Sequence, residues 1–159
     1  MTTRDHNEIF GRGFEHGVQF RTFYEFSIPS GQSIYIQHIC PVEFYVIKQE
    51  ITVDAGGIRL SICNGASQAT AFSNALTISG MNRITERDKP YYVVQSTIAT
   101  GGTITGGTVV DVARVISANA TAAQTSIGGK TSQPRAWPAG TYHQRLENIS
   151  NQTATGCLS

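Results

Sequence analysis

The chain has 159 residues, and its 12 Lys and Arg against 11 Asp and Glu give a formal net charge of +1. This length fits one domain with a sizeable core, and so small a charge excludes a field strong enough to attract nucleic acid or an anionic membrane. Only 14% of residues are charged, against roughly 25% in typical soluble domains. We therefore expect a surface of uncharged polar residues that is partly covered by another subunit.

The N-terminal residues 1–17 are rich in glycine and charge and show no clean period. They predict an extended arm, followed by a single domain over 18–159. No apolar stretch resembles a secretory signal, and none reaches the roughly 20 residues of a membrane span. We therefore expect synthesis in the cytoplasm and no membrane partner.

Short alternating segments separated by turn residues dominate the rest of the chain. In the first of them, Phe20 and Phe26 share a parity and are expected in the core. The turn at 54–57 predicts a hairpin between its flanking strands. The predicted strands cover 18–28, 33–39, 42–53, 58–62, 75–78, 91–98, 108–116 and 142–149. With no segment of helical period, this pattern predicts an all-β antiparallel sandwich of jelly-roll type.

Two long stretches interrupt the predicted strands. Residues 64–89 are small and polar, with the one short strand at 75–78. Residues 117–135 have no apolar face and predict a long surface loop that is mobile or held by a partner.

The residues able to carry chemistry are scattered. No two histidines stand at a metal-ligand spacing, so we predict no metal and no cofactor. His38 and Cys40 share a strand face and, with His143, offer a thiolate site in principle, but nothing in the sequence makes a base and an orienting group converge there. Cys40 and Cys63 fit small core residues. We predict no catalytic residues and no enzyme.

Trp137, the only tryptophan, lies between Arg135 and Pro138. An aromatic ring in such a loop is able to stack on a sugar, or it closes one end of the sandwich as part of the core. Tyr91 and Tyr92 place one ring on each face of a predicted strand, so at least one points outward or into an interface. Tyr91, Arg135 and Trp137 are therefore the candidate ligand or interface residues.

The closing segment PAGTYHQRLENIS, residues 138–150, combines a turn with a strand. Together with Asn82-Arg83 and the Gly-Gly-Thr repeat around 101–108, it resembles small β-sandwich virion proteins of tailed bacteriophages. The likeness covers 18–155 in pattern, and in letters only the final strand and the Asn-Arg pair.

This resemblance implies a jelly-roll protein that forms a homotrimer, decorates or cements the capsid surface of the virion, and binds the major capsid protein. It implies that the arm reaches along the shell, with Phe10 and Phe14 as anchors and Arg4 and Arg12 against acidic patches. Related sandwiches serve as receptor binders on tails, so a receptor- or glycan-binding module is the alternative. An enzyme of another all-β class, using Cys40 or His143, is a third possibility.

Overall fold

The computed structural model describes residues 20–46, 48–80, 94–117, 123–127 and 135–159. Within these ranges the regular structure consists of β-strands, numbered in chain order, and contains no helix. The strands are β1 (Phe20–Arg21), β2 (Tyr24–Ile28), β3 (Ser33–Cys40), β4 (Phe44–Val46), β5 (Gln49–Ala55), β6 (Gly57–Asn64), β7 (Ser67–Thr70), β8 (Asn74–Ala75), β9 (Ser79–Gly80), β10 (Thr97–Thr100), β11 (Thr103–Thr105), β12 (Thr108–Ile116), β13 (Ala123–Ile127), β14 (Arg135–Trp137), β15 (Gly140–Asn148) and β16 (Ala154–Leu158).

Two antiparallel sheets enclose one core. A six-stranded sheet has the order β12-β6-β15-β3-β10-β8, and a four-stranded sheet has the order β13-β5-β16-β2. Both sheets contribute side chains to a single buried cluster: Phe26, Ile28, Ile36, Ile51, Val53, Ile58, Leu60, Val115, Leu146, Ala154 and Leu158. Because the apolar face of each sheet is buried against the other, the prediction of an all-β, sandwich-like fold is confirmed.

The main strand pairs are nested along the chain. Strand β2 pairs with β16, β3 with β15, β5 with β13, and β6 with β12, all antiparallel. The members of successive pairs alternate between the two sheets. The chain therefore follows the path of a long antiparallel ribbon folded over itself.

The predicted hairpin at 54–57 is wrong, because β5 and β6 lie in different sheets. The turn is an arch that carries the chain across the core. Gly56 has a φ of +78°, and a Cβ there would lie 2.8 Å from Ser150 Oγ and 2.9 Å from Ala154 Cα. The Ser117 N–H donates to Gly56 O at 2.9 Å. Glycine is required here because a Cβ would be strained by the positive φ and would clash with Ser150 and Ala154.

Several strand boundaries also differ from the predictions. The strand predicted over 42–53 is divided into β4 and β5, and the loop predicted over 117–135 contains β13, which pairs with β5. The described part of the stretch 64–89, residues 64–80, contains three short strands, β7, β8 and β9. These strands are polar or pair at sheet edges, so their sequences carry little apolar alternation.

Some of the predicted core residues are buried and one is not. Phe26 is buried as expected, whereas Phe20 lies in the short strand β1 and is only partly buried. Cys40 and Cys63 are buried free thiols, which confirms the prediction for both. The predicted strand at 91–98 is observed only from Thr97 onward, and its first residues, 91–93, lie outside the described part of the chain.

Candidate functional site

The six-stranded sheet has two faces with different chemistry. Its inner face packs on the four-stranded sheet and carries the fully buried Ile58, Leu60 and Leu146. Because successive residues of a strand alternate between faces, the residues between these lie on the outer face. The strand register aligns them into rows that cross β12, β6, β15 and β3. The outer face is therefore built by the strands that also form the core.

One row of the outer face is sealed by the chain's own loops. It runs through Cys63, His143 and Gln37, and the ring of Phe72 packs on His143 with centroids 5.7 Å apart. Gln37 Nε2 donates to Gln68 Oε1 at 3.2 Å and lies 3.2 Å from His143 Nε2. We call these five residues the covered half of the outer face.

His143 is held neutral in the covered half. An amide nitrogen only donates, so the contact from Gln37 Nε2 makes His143 Nε2 the acceptor, and this requires an unprotonated nitrogen. His143 is 2% exposed, and its burial lowers its pKa because an imidazolium would lose solvation there. The covered half is thus a closed polar layer between sheet and loops.

The neighbouring rows of the outer face hold a cluster of charges. Arg59 on β6 lies opposite Glu147 on β15 and opposite Arg114 on β12. Arg59 Nε donates to Glu147 Oε2 at 2.9 Å, and its Nη2 contacts the same oxygen. Arg145 Nη2 lies 3.3 Å from that oxygen as well. One carboxylate oxygen therefore meets two guanidinium groups.

Exposed aliphatic side chains stand beside these charges. β12 is an edge strand of the sheet, and Val112 and Ile116, on the same face as Arg114, are 48% and 63% exposed. With Val109 and Val110, β12 carries four of the nine large apolar residues that are exposed in the described part of the chain. These exposed aliphatic residues and the charged cluster form what we call the open half of the outer face: Arg59, Val112, Arg114, Ile116, Arg145 and Glu147.

The sequence gives a signal for the open half that our strand predictions did not use. β12 carries valine or isoleucine at 109, 110, 112, 115 and 116, on both parities. Both faces of such a strand are apolar, and this is typical of strands that are covered on both sides. Val115 is buried in the core, which leaves the outer face of the strand without a covering element among the described residues.

The predicted arm residues Arg4, Phe10, Arg12 and Phe14 and the predicted surface residue Tyr91 lie outside the described residues. Arg135 lies in β14 opposite Val46 of β4, and its side chain is also outside the described part. Trp137 is therefore the one member of the predicted sites whose surroundings are described.

Trp137 belongs to an aromatic cluster at one end of the sandwich. Its ring lies 4.4 Å from Tyr142, edge to face, and 5.8 Å from Phe44, between centroids. The Tyr142 hydroxyl donates to Pro138 O at 2.6 Å. Trp137 remains partly exposed. The ring thus takes part in closing this end and still presents surface to solvent.

The structure separates the three residues considered as a thiolate site. His38 and Cys40 lie on the inner face of β3, whereas His143 lies on the outer face, opposite Gln37. Burial raises the pKa of the Cys40 thiol, which disfavours the thiolate that a nucleophile needs. The geometry therefore does not assemble Cys40 with His143.

His38 borders a small cavity between the sheets. The cavity measures about 40 Å³ and is lined by residues that include Tyr24, Ile36 and Gln144. Among the described residues His38 Nε2 and Gln144 Oε1 are buried without a hydrogen-bond partner. Burial lowers the pKa of His38 to about 4. The volume suffices for ordered water, which would satisfy both atoms.

The described ranges contain no group of three or more His, Cys, Asp or Glu placed to hold a metal ion. In the same ranges, no helix has the length and apolar character needed to cross a bilayer. Comparisons with protein-family models, curated proteins and solved structures found no match to this chain.

Proposed function

We propose that the chain is a structural virion protein of a tailed bacteriophage, a decoration protein that binds the major capsid protein and stabilises the head. It acts as a homotrimer on the capsid surface and is not an enzyme. The observation that carries this proposal is the apolar outer face of β12, an edge strand with four exposed aliphatic residues.

An exposed apolar edge strand favours a protein that works in an assembly. Monomeric proteins usually protect edge strands with charge, proline or a covering element, and contiguous apolar patches mark interaction sites. β12 has partial protection: the Val112 N–H donates to Asp111 Oδ1 at 2.9 Å, the register shifts between Val109 and Asp111, and Arg114 is charged. Its outward side chains are otherwise suited to contact with another protein.

The finer fold assignment in this proposal is a jelly roll. The nested pairs β2–β16, β3–β15, β5–β13 and β6–β12 support it. In that arrangement an antiparallel ribbon is rolled so that each successive pair adds strands to both sheets, and the arch at Gly56 is one of the required crossings. Jelly rolls are common in viral capsid proteins, which agrees with the proposed setting.

The N-terminal arm supplies a second contact in the proposal, through Arg4, Phe10, Arg12 and Phe14. Many copies on one lattice act through effective concentration, so each contact need not be strong. Deleting 1–17 is expected to leave the sandwich folded and to weaken attachment to heads. Unchanged attachment of the truncated protein would exclude a role for the arm.

The proposal is tested with heads of the phage that encodes the chain, prepared without this protein. The wild type is expected to co-sediment with heads at a saturating stoichiometry, and Val112→Asp/Ile116→Asp is expected to lose this binding. Phe23→Asp is the matched control, since Phe23 and Ile116 are both 63% exposed. Absence of wild-type binding to heads would refute the proposal.

The oligomeric state is measured separately by light scattering after size-exclusion chromatography. The proposal predicts a particle of three times 17.2 kDa. A monomer at all concentrations tested would remove the homotrimer from the proposal.

A second candidate function is receptor or glycan binding by a phage tail or fibre, favoured by the aromatic cluster of Phe44, Trp137 and Tyr142. Partly exposed aromatic rings are suited to stack on sugars. On a glycan array, this function predicts binding that Trp137→Ala abolishes and Phe23→Ala preserves. Binding to glycans without binding to heads would favour it over the capsid role.

A further inference from the structure

The open half carries a local excess of positive charge. It contains Arg59, Arg114 and Arg145 against the single carboxylate Glu147, so its formal charge is 3 − 1 = +2. The whole chain has a net charge of +1, which leaves 1 − 2 = −1 for all other residues together. The net charge of this face is thus opposite in sign to that of the remaining residues taken together.

The guanidinium groups of the open half have unused donors. Each has five N–H donors, yet Arg59 and Arg145 both approach the same Glu147 oxygen, Oε2. The Arg145 side chain is partly exposed, although its Nε is buried, has no partner among the described residues and is out of reach of an external one. Arg114 is exposed and forms no ion pair with any described residue. The face therefore offers donors for further carboxylates.

The surroundings of these donors select the kind of anion. Val112 and Ile116 flank Arg114 on the same face of β12, and arginine next to apolar side chains is typical of protein–protein interfaces. A nucleic acid would meet this face mainly with its charged phosphate backbone, which offers Val112 and Ile116 no apolar partner. A protein segment that presents acidic and aliphatic side chains on one face matches both kinds of group, because its carboxylates bind guanidinium in a fork-like geometry.

We propose that the open half binds an acidic, aliphatic segment of a partner protein, with carboxylates at Arg114 and Arg145 and apolar side chains on Val112 and Ile116. This inference rests on the proposed function, in which the partner is the major capsid protein, and it specifies the chemistry of the surface that this partner presents.

The first test uses two synthetic peptides of the length of β12, 9 residues. In one, Val and Glu follow each other at every second position with Thr between them, so that both types share a face, and in the other Gln replaces Glu. In fluorescence anisotropy the Glu peptide is expected to bind at least about tenfold more tightly than the Gln peptide, with an affinity that falls as salt rises. Equal affinities, absence of binding to both peptides, or tighter binding to duplex DNA would overturn the proposal.

The matched variants are Arg114→Glu and Arg21→Glu, both at exposed arginines on β-strands. Arg114→Glu is expected to weaken binding of the Glu peptide by about tenfold or more, whereas Arg21→Glu is expected to leave it unchanged. Circular dichroism of both variants checks that they fold. Loss of binding in neither variant, or an equal loss in both, would contradict the assignment.

Binding to heads distinguishes this inference from the proposed function. If the wild type and Arg114→Glu bind heads equally, the capsid role stands, and the inference that the open half binds an acidic segment of the partner is refuted. If the wild type selects the Glu peptide but does not bind heads, the surface stands and the capsid role is refuted.

Discussion

The covered and open halves of the outer face lie side by side on the same strands, β6 and β15, and differ in what contacts them. In the covered half, Phe72 and Gln68 seal a layer in which His143 is 2% exposed. In the open half, Val112 and Ile116 are 48% and 63% exposed, and no described loop covers them. The chain's own segments thus close one half, and the proposed function assigns the other half to the partner.

The largest expected effect is the difference in free energy of unfolding between replacing an isoleucine of the core and replacing an isoleucine of the open half. Ile58 is 0% and Ile116 63% exposed, although they are close in the β6–β12 register. Ile58→Ala should lower the free energy of unfolding by about 2 to 5 kcal/mol, because it leaves a cavity, and Ile116→Ala by less than about 0.5 kcal/mol. Urea unfolding measures both. Similar losses would mean that the open half is covered in the free protein.

A second prediction disturbs the covered half. A Cβ on Gly102 would lie 2.6 Å from Phe72 Cδ2 and 2.7 Å from Thr70 O, so Gly102→Ala should displace Phe72 from His143. We expect a loss of about 2 kcal/mol, as for other overpacked sites. Gly80→Ala is the control, since nothing lies within 4 Å of a Cβ there. If Gly102→Ala is as stable as Gly80→Ala, Phe72 does not seal this half.

A third prediction concerns pH and the histidines on opposite faces of the sheet. Burial lowers the pKa of His38 to about 4 and also lowers that of His143. The unfolded chain, with histidine pKa values near 6.5, therefore binds more protons than the folded chain between these limits. The stability that the neutral histidines contribute is fully present above about pH 6.5 and is lost as the pH falls toward 4.

For His38, which is partly exposed, we expect a loss of about 1 to 2 kcal/mol over this range. Urea unfolding at pH 7 and pH 5 measures it, and NMR titration of the imidazole signals assigns it. His38→Asn should reduce the pH dependence. An unchanged pH dependence of stability in this variant, or a His38 signal that titrates near 6.5, would contradict the lowered pKa of His38.

The smallest expected effect is at the ion pairs of the open half. Glu147→Gln removes the carboxylate shared by Arg59 and Arg145. Since these side chains are partly exposed, the loss of stability should be about 0.5 to 1 kcal/mol and should shrink in high salt. Glu25→Gln, at an exposed position on β2, provides the comparison. A loss of several kcal/mol would indicate that the open half is closed like the covered half.

The fold class follows from the sequence because alternation and turn residues are local signals. Phe26 and the predicted strand at 108–116 were placed correctly on this basis. The arch at Gly56 was predicted as a hairpin, since turn chemistry reports that the chain reverses and does not report whether the next strand joins the same sheet. Strand β13 was missed because its polar residues, AQTSI, carry no alternation and it is held by pairing with β5.

The candidate sites were less predictable than the fold. Trp137 stands out as the only tryptophan. Its partner Phe44 is brought to it by the pairing of β4 with β14, which has no sequence signal, and its partner Tyr142 lies on β15. The open half depends on register across β12, β6 and β15. No local pattern indicates that Arg59, Arg114 and Glu147 form one row, because they are separated along the chain.

The most direct test of the central claim is hydrogen–deuterium exchange of the chain, free and bound to heads. Binding to heads is expected to slow exchange in β12 and in the adjoining part of β6, with little change at the aromatic end around 135–142. Unchanged exchange in β12, with protection confined to the aromatic end, would contradict the claim that the open half is the partner surface.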